Sequence, residues 1–242
     1  MFKMIPAGNR PPHPQHLLLD KDTDLYSDGA IRVFTSDFFP SSFAVTAGGN
    51  TIFIDPVAVD SAGKADYIFI THAHPDHFSI RDIRNLAKPG TVVVCPESVS
   101  GKIARNGLTV KEVGPGDVFE FAVIKCEAVA AYNTRSALLW INAHPKSRRN
   151  VGYILTLNDT VRIYHAGDSD YIPEMNAITN ITVALIPIGG DNLTMNVEDA
   201  AKITNIIRPQ MVVPMHFELK KTENLDRFKE LVDKTVQVQT LV

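Results

Sequence analysis

The chain has 242 residues, of which 45% are apolar and 21% charged, and its formal net charge is −3. That length suits one large α/β domain or two small ones with a buried core, and the composition is that of a soluble globular protein. There is no basic field to draw it to nucleic acid or anionic lipid, and no run approaches the about 18 apolar residues of a membrane span.

Cys95 and Cys126 are the only cysteines, each inside an apolar strand-like run. Two such thiols read as packing residues rather than a disulfide framework or metal pair, and a reducing, cytoplasmic compartment fits them. The stretch from Met1 to Asp20 is rich in Pro and His and lacks the apolar core of a signal peptide. With Pro11, Pro12 and Pro14 around His13 and His16, it reads as an irregular surface segment rather than a metal tail.

Ala30–Thr35 and Phe43–Thr46 read as strands, and Gly48-Gly-Asn50 as a hairpin turn into a strand over Thr51–Asp55 that Pro56 stops. Tyr67–Ile70 is a short apolar run suited to a strand buried on both faces. Ser79 is placed to cap a helix over Ile80–Leu86, closed by Lys88-Pro-Gly90. Thr91–Cys95 reads as the next buried strand and Glu97–Arg105 as a short helix. A long extended stretch follows over Asp117–Ala131, then strands over Leu138–Ile141, Val151–Leu157 and Val161–His165, with Asn158-Asp159 as a hairpin turn. Thr182–Pro187 is another buried strand, and Asn196 caps a helix over Val197–Ile207 with Glu198 and Asp199 in its first turn. A strand over Met211–Pro214, an amphipathic helix over Glu223–Lys234 and a strand over Val236–Leu241 complete the chain.

Asn50–Asp55 followed by Ala65–Thr71 has an echo in Asp159–Tyr164 followed by Ile181–Pro187, each a hairpin strand and then a buried strand. Two related β-rich halves with outer helices make a four-layer αββα sandwich, within a single domain spanning residues 1–242. The alternation of strands and helices also permits a doubly wound sheet.

The segment His72-Ala-His-Pro-Asp-His77 places three of the chain's eight histidines and an aspartate where a strand ends. These are N and O donors of the type Zn²⁺ accepts. In extended backbone His72 and His74 point the same way, and a bend at Pro75 turns Asp76 and His77 toward a second ion. Such a set needs distant partners. Asp168, in Tyr164-His-Ala-Gly-Asp168, and His216, in Pro214-Met-His216, both follow buried strands, where open α/β folds place their sites. Asp55, also at a strand end, is placed to hold a ligand histidine through its other ring nitrogen. His165 alternates away from Asp168 and reads as core or as support for a ligand. Lys146-Ser-Arg-Arg149 reads as a solvated turn, or as a holder of a substrate phosphate or carboxylate.

Thr-His-x-His-x-Asp-His after a buried strand, with a strand-end Asp before it and Gly-Asp and a late strand-end His after it, resembles the metallo-β-lactamase superfamily. The finer pattern is similar to its Zn-dependent hydrolase branch, which includes L-ascorbate-6-phosphate lactonase-like proteins. The matching segments are Ala131-Tyr-Asn133, His144-Pro-Lys, Val151-Gly-Tyr153, Tyr164-His-Ala-Gly-Asp168, Ile188-Gly-Gly190 and Pro214-Met-His216. The resemblance implies an αββα sandwich with one or two metal ions, Zn or else Mn or Fe. It puts His72 and His74 on the first metal and Asp76 and His77 on the second, with Asp168 bridging and His216 on the second. A metal-bound hydroxide, oriented by Asp76, attacks an electrophilic carbonyl or phosphorus.

The chain departs from that pattern twice. The superfamily supplies another first-metal histidine at a strand end where this chain reads Ala-Ala-Tyr-Asn133, so Asn133 or water takes the position, or His144 folds back to fill it. Many lactonase-like relatives also have a histidine where this chain has Phe39-Pro-Ser-Ser42. The expected function is a metal-dependent hydrolase of a small ester, lactone or phosphodiester, a soluble enzyme with no nucleic-acid or membrane partner, with homo-oligomer formation left open. The alternatives are an RNA phosphodiesterase of the same fold and a non-catalytic scaffold with a closed metal site. Diiron oxygen reductases of this fold carry Glu where His74 stands and add a flavin domain, and this chain has neither.

Overall fold

The computed structural model describes residues 5–6, 30–35, 41–57, 59, 63–121, 124–137, 142–218 and 222–240. They fall into two compact units, one from Met1 to Val113 and the other from Gly114 to Thr240.

The first unit is a seven-stranded sheet whose neighbours follow chain order: β1 (Ile5–Pro6), β2 (Ala30–Thr35), β3 (Ser42–Ala47), β4 (Asn50–Ile54), β5 (Tyr67–Phe69), β6 (Val92–Cys95) and β7 (Thr109–Glu112). β3 runs antiparallel to both β2 and β4, and β4 to β7 are parallel. Gly48 and Gly49, at φ 53° and 77°, turn the β3–β4 hairpin; paired positive φ angles match the right-handed twist of the strands and are open to glycine without strain. Between β5 and β6 lies α1 (Ile80–Leu86), whose N-cap Ser79 accepts the Asp82 N–H. α2 (Glu97–Ala104) joins β6 to β7. Phe53, Ile68, Ile83, Val93, Val99 and Ile103 pack in its core.

The second unit repeats the plan. Its sheet follows chain order through β8 (Val118–Phe121), β9 (Ile124–Ala130), β10 (Val151–Leu157), β11 (Val161–His165), β12 (Val183–Pro187), β13 (Met211–Met215) and β14 (Gln237–Val238). β8 to β11 are antiparallel and β11 to β14 parallel. Asn158 and Asp159, at φ 48° and 59°, turn the β10–β11 hairpin as the glycines turn β3–β4. α3 (Val197–Ile207) is capped by Asn196 and buries Val197, Ala200, Ala201, Ile203, Thr204 and Ile207, one face at helical spacing. The larger of these, Val197, Ile203 and Ile207, each contribute about 1.5–3 kcal/mol when fully buried, which helps hold α3 to the sheet. α4 (Glu223–Leu231) adds Leu225 and Phe228 to the same core. The echo read in the sequence is therefore a real correspondence: hairpin β3–β4, then parallel β5, α1, β6, against hairpin β10–β11, then parallel β12, α3, β13.

Several details differ from the sequence reading. The N-terminal stretch, read as irregular, contributes β1, which pairs in parallel with β2. β7 was not foreseen; its sequence Thr-Val-Lys-Glu is mostly exposed and charged, the usual dress of an edge strand. The last helix ends at Leu231 rather than Lys234, because the Asp233 N–H is taken by Asn205 Oδ1 at 2.8 Å. The final strand shortens to Gln237–Val238. The strand expected over Leu138–Ile141 and the residues His13 and His16 lie outside the described residues.

Candidate metal centre

In the first unit, the C-terminal ends of β4 and β5 supply the chemistry. Asp55 follows β4 at φ 45° with its carboxylate fully buried, and it is the hub of the local network. Oδ1 accepts the Thr71 N–H at 2.7 Å, and Oδ2 accepts the Thr71 hydroxyl at 2.6 Å and the ring proton of His77 Nδ1 at 2.7 Å. With its own proton given to Asp55, Thr71 Oγ1 accepts from His72 Nδ1 at 2.9 Å. One carboxylate thus fixes the proton of two imidazoles on Nδ1, directly for His77 and through a hydroxyl for His72, leaving Nε2 of each as the donor atom.

Beyond Pro75 the chain folds into a tight turn in which His77 N–H and Phe78 N–H both donate to the His74 carbonyl, at 3.0 and 2.8 Å. The turn brings the rings of His72 and His77 to 4.2 Å and those of His72 and His74 to 4.7 Å between centroids. His77 Nε2 faces Asp76 Oδ2 at 3.7 Å. His72 and His77 are buried, while His74 and Asp76 are half-buried. The bend foreseen at Pro75 is present, and it gathers all four side chains of the motif.

In the second unit the donors lie in the connection from β9 to β10 and just beyond β11 and β13. Asp168, two residues beyond Ala166, turns Oδ2 toward two imidazoles at once: His216 Nε2 at 3.1 Å and His144 Nε2 at 3.5 Å. His216 leaves β13 in the left-handed region at φ 52°. Gly189 makes room for it, since a Cβ there would meet the His216 carbonyl oxygen at 2.2 Å. Asn133 stands at the position where the superfamily pattern has a strand-end histidine, and His144 folds back onto it. The His144 backbone N–H and ring Nδ1–H both donate to Asn133 Oδ1, at 3.2 and 2.7 Å. His144 turns Nε2 to Asp168, and Asn133 supports its other ring nitrogen.

An unprotonated imidazole nitrogen and a carboxylate oxygen facing each other at these separations form a donor pair for a cation. The set is histidine nitrogen and carboxylate oxygen without thiolate, which fits Zn²⁺, Fe²⁺ or Mn²⁺. Neither cysteine belongs to it. Burial pushes the Cys95 thiol up to about 12, with Glu112 adding to the effect, and burial likewise raises Cys126. His165 is buried with Nδ1 accepting the Gly167 N–H at 3.1 Å, which ties the end of β11 to the loop that carries Asp168. Lys146 spends its charge on Glu174 at 2.9 Å and on the Tyr132 hydroxyl at 3.3 Å. These bonds raise the Lys146 ammonium and hold the Glu174 carboxyl below its usual range. Lys146 and Arg149 line a cavity of about 440 Å³ with Tyr132, Met175 and Ile178.

Three contributors escaped the sequence reading: the hydroxyl of Thr71, the room left by Gly189, and Asp170. For Asp170 a signal was present, a second acid two residues after Asp168 in Gly167-Asp-Ser-Asp170.

Comparison with known proteins then defines the class. A family model described as a beta-lactamase superfamily domain matches residues 38–216, and the chain belongs to that superfamily. Its fold is the metallo-β-lactamase α/β sandwich, shared with the metallo-β-lactamase fold protein YhfI of Bacillus subtilis at TM-score 0.63 over 82% of this chain and 88% of that one, at 11% identity. Nearer in sequence is a UPF0173 metal-dependent hydrolase of Pyrococcus furiosus, 32% identical over 214 residues, covering 80% of this chain and 90% of the relative. A Parabacteroides distasonis protein described as a candidate metal-dependent hydrolase is 30% identical with TM-score 0.72, over 84% of this chain and 91% of that one. The chain is a metal-dependent hydrolase of this superfamily. Among the described residues no helix is long and apolar enough to cross a membrane.

Proposed function

We propose that the chain hydrolyses a small ester, lactone or phosphodiester at a centre of one or two metal ions, zinc in the first instance. The observation that carries this reading is the placement of protons. His77 and His144 each give Nδ1–H to a partner inside the protein and turn Nε2 toward a carboxylate, and His72 gives Nδ1–H to Thr71. That is how proteins prepare imidazoles for metals. In this reading His72, His74, Asp76 and His77 of the first unit and His144, Asp168 and His216 of the second are the metal donors, His144 taking the place of the histidine that the superfamily pattern has near Asn133.

A divalent metal in such a set lowers the pKa of water and polarises the carbonyl or phosphoryl group beside it. The chain's own part is to hold and move protons. Asp55 and Thr71 keep the protons of His77 and His72 on Nδ1. The Asp76 side chain is 31% exposed where His77 is fully buried, so Asp76 can meet substrate and accept the proton of the attacking water at a carboxylate oxygen. The net charge of −3 supports a small-molecule substrate over RNA.

Protein purified without added metal is expected to carry about one to two ions of Zn, Fe or Mn per chain, as expected of one- or two-metal sites. His77→Ala should abolish activity on a panel of lactones and phosphodiesters while leaving the fold intact by circular dichroism. Metal-free protein that gains no thermal stability when Zn²⁺ or Mn²⁺ is added would overturn the reading.

A further inference from the structure

We infer that Asp170 is a positioning residue for His144, acting through the side-chain amide of Asn133; this rests on the proposal that His144 is a metal donor. Asp170 lies two residues beyond Asp168 on the loop after β11 and is 3% exposed. The loop is zipped to the segment after β9: Asp170 N–H donates to the Tyr132 carbonyl at 3.0 Å, and Tyr132 N–H to Ser169 Oγ at 3.1 Å. The Asp170 carboxylate then receives the next three residues in turn. Oδ1 accepts from Asn133 Nδ2 at 3.3 Å, while Oδ2 accepts the Thr134 N–H and hydroxyl at 2.6 and 2.9 Å and the Arg135 N–H at 3.1 Å.

Asn133 Nδ2 also donates to the Leu193 carbonyl at 2.9 Å, so both amide protons point at oxygens. The amide oxygen is left to face His144, where it accepts the backbone N–H and Nδ1–H. A flipped amide would set its NH₂ against the His144 N–H and its oxygen against those of Asp170 and Leu193. The orientation of Asn133 is therefore fixed by Asp170 and Leu193 together, and with it the tautomer of His144: proton on Nδ1, lone pair on Nε2, toward Asp168. The same loop presents Asp168 to the two histidines and Asp170 to the residue that orients one of them. Asn133 stands where the superfamily pattern has a histidine because here it orients the donor instead of being it.

Asp170→Asn is the test. The new amide keeps an oxygen for Thr134 and Arg135 but turns an NH₂ toward the NH₂ of Asn133. In metal-free protein, ¹⁵N spectra of the imidazoles should show His144 change from a single Nδ1–H tautomer to a mixture. Zn²⁺ affinity by chelator competition should fall about tenfold, the low end for losing a partner that orients a ligand. Thr134→Val, which removes one bond to Asp170 without touching Asn133, should change neither readout. A single Nδ1–H tautomer retained in D170N overturns the inference. Should D170N not fold, Asn133→Ala removes the middle of the relay and must give the same tautomer mixture; an unchanged Nδ1–H signal there overturns it equally. Wild-type Zn²⁺ affinity in His144→Ala would instead overturn His144 as a donor, and the tautomer readout would still decide the role of Asp170.

Discussion

The two units prepare a histidine in the same way with different means. In the first, Asp55 places a carboxylate directly on the ring nitrogen of His77, with Oδ2 2.7 Å from Nδ1, and reaches His72 through one hydroxyl. In the second, an uncharged amide touches His144 at the same 2.7 Å, and the carboxylate of Asp170 stands one step behind it. Both arrangements set the proton on Nδ1 and leave the lone pair on Nε2. They differ in charge. An anion against the ring raises its basicity and its strength as a donor, while an amide fixes geometry and adds no charge. The first unit thus carries the stronger and more costly orienter, since a buried carboxylate is tolerated only while its hydrogen bonds are complete.

The contrast predicts unequal sensitivity to mutation. Asp55→Ala should have the largest effect, because it orphans the buried donors Thr71 N–H and His77 Nδ1–H along with the Thr71 hydroxyl. At about 1–3 kcal/mol for each unsatisfied group, the loss from three groups should be about 3–9 kcal/mol in urea denaturation of metal-free protein. A loss no larger than that of Asn133→Ala would remove the distinction drawn between the two orienters. His144→Ala should leave the fold standing and weaken Zn²⁺ binding by about 100-fold or more, beyond the 10–100-fold typical of partners that only orient a ligand. Competition against a chelator would measure it.

Gly189→Ala should come next. The added methyl meets the His216 carbonyl, and His216 already sits at φ 52°, so the main chain there has little freedom to retreat. A loss of about 1–3 kcal/mol, as for overpacking in a core, is expected in thermal melts, with a smaller gain on adding Zn²⁺ than the wild type shows. The smallest effect belongs to Glu174. Its carboxyl is held low, first by the hydrogen bond from Lys146, so its contribution to stability is present above the ordinary glutamate range and lost as pH falls through the depressed value. Glu174→Gln should flatten that acidic slope and leave neutral-pH stability nearly unchanged, since both partners are largely exposed.

Much of this was legible in the chain. Hairpin turns, helix caps and buried apolar runs are local signals, and α1, α3, β10 and β11 begin and end where periodicity and capping place them. The motif from His72 to His77 is also local, because its donors lie within one turn of backbone. Less legible was the strand dressed as a surface, β7, whose charges mark an edge but hide the strand.

What the sequence by itself determined was the inventory of nitrogen and oxygen donors available, and that most of them follow the C-terminal end of a strand. The position vacant of a histidine at Asn133 was visible too, as a question with three answers. Only the tertiary structure shows what surrounds Asn133, because its contacts join residues far apart in the chain, His144 and, across a much wider gap, Asp170 and Leu193. Hydrogen-bond direction carries no periodicity and leaves no pattern along the sequence. It is settled where donors and acceptors from β9, β11 and the loops beyond them meet, and there an asparagine that looked like a missing ligand accepts the backbone and ring N–H groups of His144.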